Sequence, residues 1–236
     1  MIYITGDTHG DFQRIDDFCR RMVTSKDDIM IILGDAGVNF SGGEKDRLKK
    51  EWISALPITV FCIHGNHEMR PATIPSYKTT TWHGGTVWVE EEYSNILFAK
   101  DGEVFDFDGK KCIVIGGAYS VDKPWRLMYG YPWFADEQPS DEIKAEVEAK
   151  LAELDWKIDI VLSHTLPFEY MPMDLFIKGI DQSTVDNSTE DWLSDIEAKL
   201  SYKWWYAGHY HTSRITEKVQ IMFEDIAEFG KDRRRK

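Results

Sequence analysis

Residues 1–12 read MIYITGDTHGDF, a short apolar, β-branched run that gives way at Gly6 to a polar, acidic turn. The same phrase returns twice, as IMIILGDAGVN at 29–39 and as ITVFCIHGNHEMR at 58–70. Each apolar run has the length and composition of a buried strand. Between them lie FQRIDDFCRRMV (12–23) and EKDRLKKEWISAL (44–56), the first with apolar residues at helical spacing. The pattern is βαβαβ, which requires parallel strands joined by helical crossovers. Ligand sites of such sheets lie at the carboxyl ends of the strands, so the clusters GDTHGD, GDAGVN and HGNHEMR are expected to meet along one edge. If the backbone stays near extended beyond the first strand, Asp7 and His9 point to the same side and can converge on one metal ion.

From Gly84 to Gly117 the rhythm changes. GGTVWVEEEY, NILFAKDG, EVFDFDGKK and CIVIGGAY are short β-rich runs divided by Gly and Asp-Gly turns, which predicts antiparallel strands continuing or backing the sheet. An aromatic, proline-containing insertion follows at about 121–139, read either as a lid or as a loop pinned by its own rings. Ser140 is a predicted N-cap for the helix EIKAEVEAKLAEL. The last third returns to the opening pattern, with IDIVLSH, a helix from about Val185 to Leu200, KWWYAGHYH, and two short strands in RITEK and VQIMF. Trp204, Trp205 and Tyr206 are read first as core packing on alternate strand faces, with a purine-stacking platform as the alternative.

The chain has 236 residues and a net charge of −13, an acidic balance that disfavours a surface built to grip nucleic acid through phosphates. A single domain over 1–228 is expected, followed by a basic tail, 229–236, read as a solvated terminus. Cys19, Cys62 and Cys112 are odd in number and sit in apolar segments, which predicts reduced core thiols and a cytoplasmic protein. No leader-like series precedes the first strand, and no apolar run is long enough to cross a bilayer.

Five of the seven histidines, His9, His67, His164, His209 and His211, stand at predicted strand ends. With Asp7, Asp35 and Asn66 they supply carboxylate, amide and imidazole donors without thiolate, a set suited to manganese, iron, zinc or nickel. His64 and His83 lie outside this set, and Asp11 is read as a helix N-cap or as a partner of a ligand.

The ordered motifs Asp7-x-His9, Gly34-Asp35, Gly65-Asn66-His67-Glu68, His164 and Gly208-His209-x-His211 resemble the calcineurin-like metallophosphoesterase superfamily. The resemblance implies an α/β fold, a sandwich of two mixed sheets flanked by helices in αββα layers. It implies two divalent ions, manganese first, one held by Asp7, His9, Asp35 and His211, the other by Asp35, Asn66, His164 and His209. It further implies a hydroxide bridging the two ions as nucleophile, and His67 as the acid at the leaving oxygen. The chain departs from the superfamily's G-D-x-x-D-R pattern: Val38 replaces the carboxylate that would orient His67, and Asn39 replaces the phosphate-clamping arginine. Asn39, Arg70, Arg126 and Lys123 are therefore candidate substrate contacts, and Glu68 either orients His67 or faces a helix. The expected substrate is a small-molecule or nucleotide-like phosphate ester, diester ahead of monoester; a nuclease or a non-catalytic scaffold of the same fold are the rival readings.

Overall fold

A computed structural model describes residues 1–176, 179 and 181–231. The opening pattern folds as read: β1 (Ile2–Thr5), α1 (Gln13–Met22), β2 (Ile29–Ile32), α2 (Glu44–Ala55) and β3 (Thr59–Cys62), the three strands parallel and adjacent. A hairpin of β4 (Tyr77–Trp82) and β5 (Gly85–Glu90) follows, then β6 (Ile96–Ala99). β6 lies antiparallel to β5 but parallel to β3, so this part of the middle segment continues the first sheet. With β13 (Ala227–Glu228) at the far edge, the sheet order is β13-β1-β2-β3-β6-β5-β4.

The second sheet starts from the antiparallel pair β7 (Val104–Phe107) and β8 (Lys110–Ile115). It continues through the parallel strands β9 (Ile160–Ser163) and β10 (Trp204–Ala207) to β12 (Val219–Ile221) and the edge strand β11 (Arg214–Ile215). Between β8 and β9 lie α3 (Lys123–Tyr129) and α4 (Asp141–Glu153); α5 (Ser188–Glu197) precedes β10. Ser140 caps α4, its Oγ accepting from Ile143 N–H. α5 is shorter than expected at both ends; it begins where Asp186 turns back to accept from Ser188 N–H.

Strand alternation sorts the core into layers. Ile2, Ile4, Ile29, Ile31 and Phe61 of the first sheet pack between the sheets against Cys112, Val114, Ile160, Leu162 and Tyr206 of the second. Tyr3, Met30, Ile32 and Val60 turn outward onto Ile15, Phe18 and Cys19 of α1 and Ile53 of α2. Val161 and Trp205 turn the other way onto Val147 and Leu151 of α4 and Trp192, Leu193 and Ile196 of α5. The product is an α/β sandwich of two mixed sheets flanked by helices, in αββα order. Trp205 is thus core, as read. All three cysteines are buried and free. Among the described residues no helix is long and apolar enough to span a membrane. Of the basic tail, 232–236 lie outside the described residues, and Lys231 pairs with Glu228 at 2.6 Å.

Candidate metal centre

The motif-bearing turns leave the strand ends β1, β2, β3, β9 and β10 and meet along one edge. They do not converge by extended alternation, as the spacing of Asp7 and His9 suggested. His9, Asp35, His209 and His211 all adopt positive φ, 50°, 49°, 67° and 46°. Such left-handed conformations are costly for residues with a side chain, and here neighbouring turns hold them. Thr8 and His9 N–H donate to the Asp35 carbonyl at 3.2 and 2.8 Å, and Gly10 N–H donates to the Ala36 carbonyl at 2.9 Å. Arg14 Nη2 lies 2.8, 2.6 and 3.1 Å from the carbonyl oxygens of Gly6, Asp7 and Phe223, tying the first turn to the segment after β12. A Cβ at Gly65 would collide with Asp35 Oδ1, and one at Gly208 with Asp7 Oδ1, so both motif glycines are needed for close approach to a carboxylate.

Each buried carboxylate divides its two oxygens between tasks. Asp7 Oδ1 accepts from His209 N–H at 3.0 Å, and Asp35 Oδ1 from His67 N–H at 2.8 Å. The Oδ2 atoms face imidazoles. Asp7 Oδ2, buried and without a hydrogen bond of good geometry, stands 3.3 Å from His211 Nε2 and 3.9 Å from His9 Nε2. Asp35 Oδ2 stands 3.9 Å from His9 Nδ1 and 3.8 Å from His164 Nε2. The ligand atoms of Asp7, His9 and His211 lie within 4.8 Å of one another, as do those of Asp7, Asp35 and His164. Asn66 Oδ1 closes the second group, 2.8 Å from His164 Nε2 and 3.0 Å from His209 Nδ1.

The hydrogen bonds around His164 test whether this cluster suits a cation. His164 Nδ1 donates to the Leu33 carbonyl at 2.8 Å, so that in the neutral ring the lone pair is on Nε2. The Asn66 amide nitrogen is turned toward Ser120 Oγ at 2.9 Å, so its oxygen faces that lone pair. Facing each other at 2.8 Å, these two atoms are joined either by a ring proton or by a cation that both bind. With two half-engaged carboxylates and three further imidazoles alongside, the donor set fits divalent cations. The electrostatics agree: burial opposes ionisation of Asp7, yet the His211 contact, the neighbouring His164 and His9, and His209 N–H hold its carboxyl below the usual range. Burial keeps His209 neutral, well below its ordinary value, and disfavours the charged form of His9.

His67 borders this group. Its Nε2 lies 3.2 Å from Asn66 Nδ2 and 3.4 Å from Arg126 Nη2. Arg126 is itself held by Asp122, Nε donating to both carboxylate oxygens at 2.8 Å. An Asp122–Arg126–His67 chain thus stands beside the ring that Val38, fully buried among core residues, cannot orient. Burial and the Arg126 charge lower the His67 pKa, against Asp35, which raises it. The other candidate contacts are engaged elsewhere. The Asn39 amide is buried and donates to Tyr77 OH at 3.0 Å. Arg70 pairs with Asp101 at 2.6 Å and donates to the Asp136 carbonyl at 2.8 Å. Lys123 lies over Trp133, 4.2 Å from the ring centroid. In the insertion, Trp125 stacks on Tyr131 at 4.7 Å, so its rings pair with one another while Arg126 reaches the site.

Glu68 neither orients His67 nor faces a helix. Its carboxylate accepts from Gly65 N–H at 3.0 Å and Gly37 N–H at 3.4 Å, bracing the two turns that carry Asp35 and Asn66. Burial, helped by Asp35, pushes its pKa up to about 8. Sequence reasoning also passed over Glu190, buried on α5, whose Oε1 accepts from Thr165 Oγ1 at 2.7 Å. Burial pushes Glu190 up to about 7 from an ordinary 4.5. Between those values the folded chain holds this proton more firmly than the unfolded chain, so stability falls as pH rises and levels off above 7. Glu190→Gln, which cannot ionise, is expected to come close to the parent near pH 4.5 and to exceed it by roughly 3 kcal/mol at pH 8, at about 1.36 kcal/mol per unit. Urea midpoints at both pH values check this; an unchanged difference between them would assign the stability to packing instead.

A two-sheet sandwich with an acid and imidazole cluster at its strand ends is the architecture expected of the metal-dependent phosphoesterases. Residues 1–213 match the family model of the calcineurin-like phosphoesterases, and the chain belongs to that family. Among solved structures it is similar to the protein TT1561 of Thermus thermophilus, with 12% identity and a TM-score of 0.51 over 94% of this chain and 87% of that one, a likeness of fold. It also matches a protein of unknown function, AQ665 of Aquifex aeolicus, with 14% identity and a TM-score of 0.35 over 78% of this chain and 84% of that one. No curated protein sequence gives a significant match.

Proposed function

We propose that this chain hydrolyses phosphate esters at a site for two divalent cations, with phosphodiesters slightly preferred and manganese the favoured metal. Asp7, His9, Asp35 and His211 would hold one ion, and Asp35, Asn66, His164 and His209 the other. The observation that carries the reading is the pair of carboxylates with Oδ1 fixed by another turn's N–H and Oδ2 turned to imidazoles. When bound, a pair of divalent ions supplies a nucleophilic water at neutral pH and positive charge against the phosphoryl oxygens.

The chain's own residues do the rest. His67, beside Asp35 and Asn66, delivers a proton to the leaving oxygen or stabilises its charge. Arg126, held by Asp122, is the guanidinium nearest that ring and the remaining candidate for a phosphoryl contact. A monoester dianion asks for more positive charge than a diester monoanion. With Asn39 and Arg70 engaged elsewhere, the supply of cationic side chains favours the diester. The three buried, free thiols support a cytoplasmic setting.

Hydrolysis of bis-p-nitrophenyl phosphate and p-nitrophenyl phosphate after chelation, with manganese, zinc, nickel or magnesium added back, tests the reading. The expected result is loss of activity on chelation, recovery with bound metal near two per chain, and faster diester turnover. Metal-independent turnover, or none with metal restored, would overturn it.

A further inference from the structure

A cavity of about 610 Å³ opens beside Asp35, Asn66, His67, His209 and His211. That volume accepts an aryl or nucleoside-sized group. Its walls away from the cluster are mostly apolar, built by Tyr119, Val121, Leu175, Phe176, Val185 and Tyr210. Phe176 and Tyr210 are nearly parallel, with ring centroids 6.2 Å apart at 11°. Val121 and Leu175 are exposed, so the apolar surface reaches solvent at the rim.

The charged residues in these walls are acidic, but Asp122 is paired with Arg126 and Glu190 is buried, which leaves Asp186 as the exposed carboxylate. Among the described residues no lysine or arginine lines the cavity. Arg126, next to His67, is already matched by Asp122, and Lys123 lies over Trp133. Glu190 is buried with one oxygen lacking a hydrogen bond, and Asp186 is exposed. A substrate's phosphoryl group is answered by the metal cluster. Any further negative charge on its organic part would meet an apolar wall and the exposed Asp186, with no lysine or arginine among the described lining residues, on a chain whose net charge is −13.

We propose that this cavity selects phosphate esters whose organic group is apolar and carries no negative charge of its own. Aryl, alkyl and quaternary-ammonium groups fit, the last because aromatic faces and carboxylates both attract an ammonium. Nucleoside polyphosphates and polynucleotides do not, because each brings additional phosphates to walls whose described residues include no lysine or arginine to receive them. The inference rests on the hydrolytic reading only for where the phosphoryl group sits.

Three diesters sharing one leaving group test it: phenyl, 4-carboxyphenyl and 4-(trimethylammonio)phenyl p-nitrophenyl phosphate, with metal-loaded protein. The carboxylate is expected to fall about tenfold below the other two in kcat/KM, an effect screened by salt. Asp186→Asn, which keeps the oxygen that accepts from Ser188 N–H while removing the charge, is expected to narrow that gap. Calorimetric titration of the matching phenylphosphonates reads the same order without turnover. Three rates and three affinities within about twofold of one another, or a preference for the carboxylate, would overturn the proposal while leaving metal-dependent hydrolysis intact. An absence of turnover with the affinity order preserved would remove the hydrolytic reading and uphold the cavity's selectivity.

Discussion

Asp35→Asn is expected to lose phosphoester turnover by about a thousandfold or more, since a metal centre supplies several kcal/mol and each ~1.36 kcal/mol is a decade. The substitution is close to isosteric. The amide oxygen can still accept from His67 N–H, the bond that Asp35 Oδ1 makes at 2.8 Å, so the turn after β3 keeps its anchor. What is lost is the negative charge at Oδ2, which stands 3.9 Å from His9 Nδ1 and 3.8 Å from His164 Nε2, one imidazole from each proposed ligand group. An amide is a weak ligand, and both groups should weaken together. Metal analysis by atomic emission is expected to show fewer than two ions per chain, with the thermal unfolding of the metal-free protein close to the parent's. Full activity with normal metal content would sink the proposed ligand set.

The residues that gather at the candidate metal centre were legible because this chemistry restricts residue types and the fold restricts their place. Core packing or turn formation alone seldom sets aspartate, asparagine and histidine directly after apolar runs, five times in order. The way they converge was not legible: extended backbone would align Asp7 and His9 by alternation, whereas His9 sits at φ 50° in a turn laced to the one carrying Asp35. Nearness in sequence also misdirected the search for substrate contacts. Arg70 lies two residues beyond Glu68, yet its guanidinium turns to Asp101, 31 positions away. Asn39, one residue past Val38, turns to Tyr77 on β4, a strand the sequence hardly signals because four of its six residues are exposed. Long-range polar partners such as Arg14 with Phe223, or Thr165 with Glu190, are chosen by tertiary packing and leave no local pattern.

His67→Ala separates chemistry from metal binding, and its effect should depend on the leaving group. The His67 ring lies beside the ligand cluster, with Nε2 facing the Asn66 amide nitrogen at 3.2 Å and Arg126 at 3.4 Å, both hydrogen-bond donors, rather than a carboxylate. Its main-chain N–H, which holds Asp35 Oδ1, survives the substitution. The variant is therefore expected to keep both ions and to lose roughly 10²–10⁴-fold in kcat on alkyl esters, the span general-acid catalysis supplies. On p-nitrophenyl esters the loss should be much smaller, because that anion departs without a proton. Exogenous imidazole should restore part of the alkyl-ester rate if the missing ring acts on the leaving oxygen, and should do nothing if it only shapes the wall. A variant that loses metal, or one slowed equally on every leaving group, would make His67 a ligand or a wall residue and leave Arg126 as the group to test at the leaving oxygen.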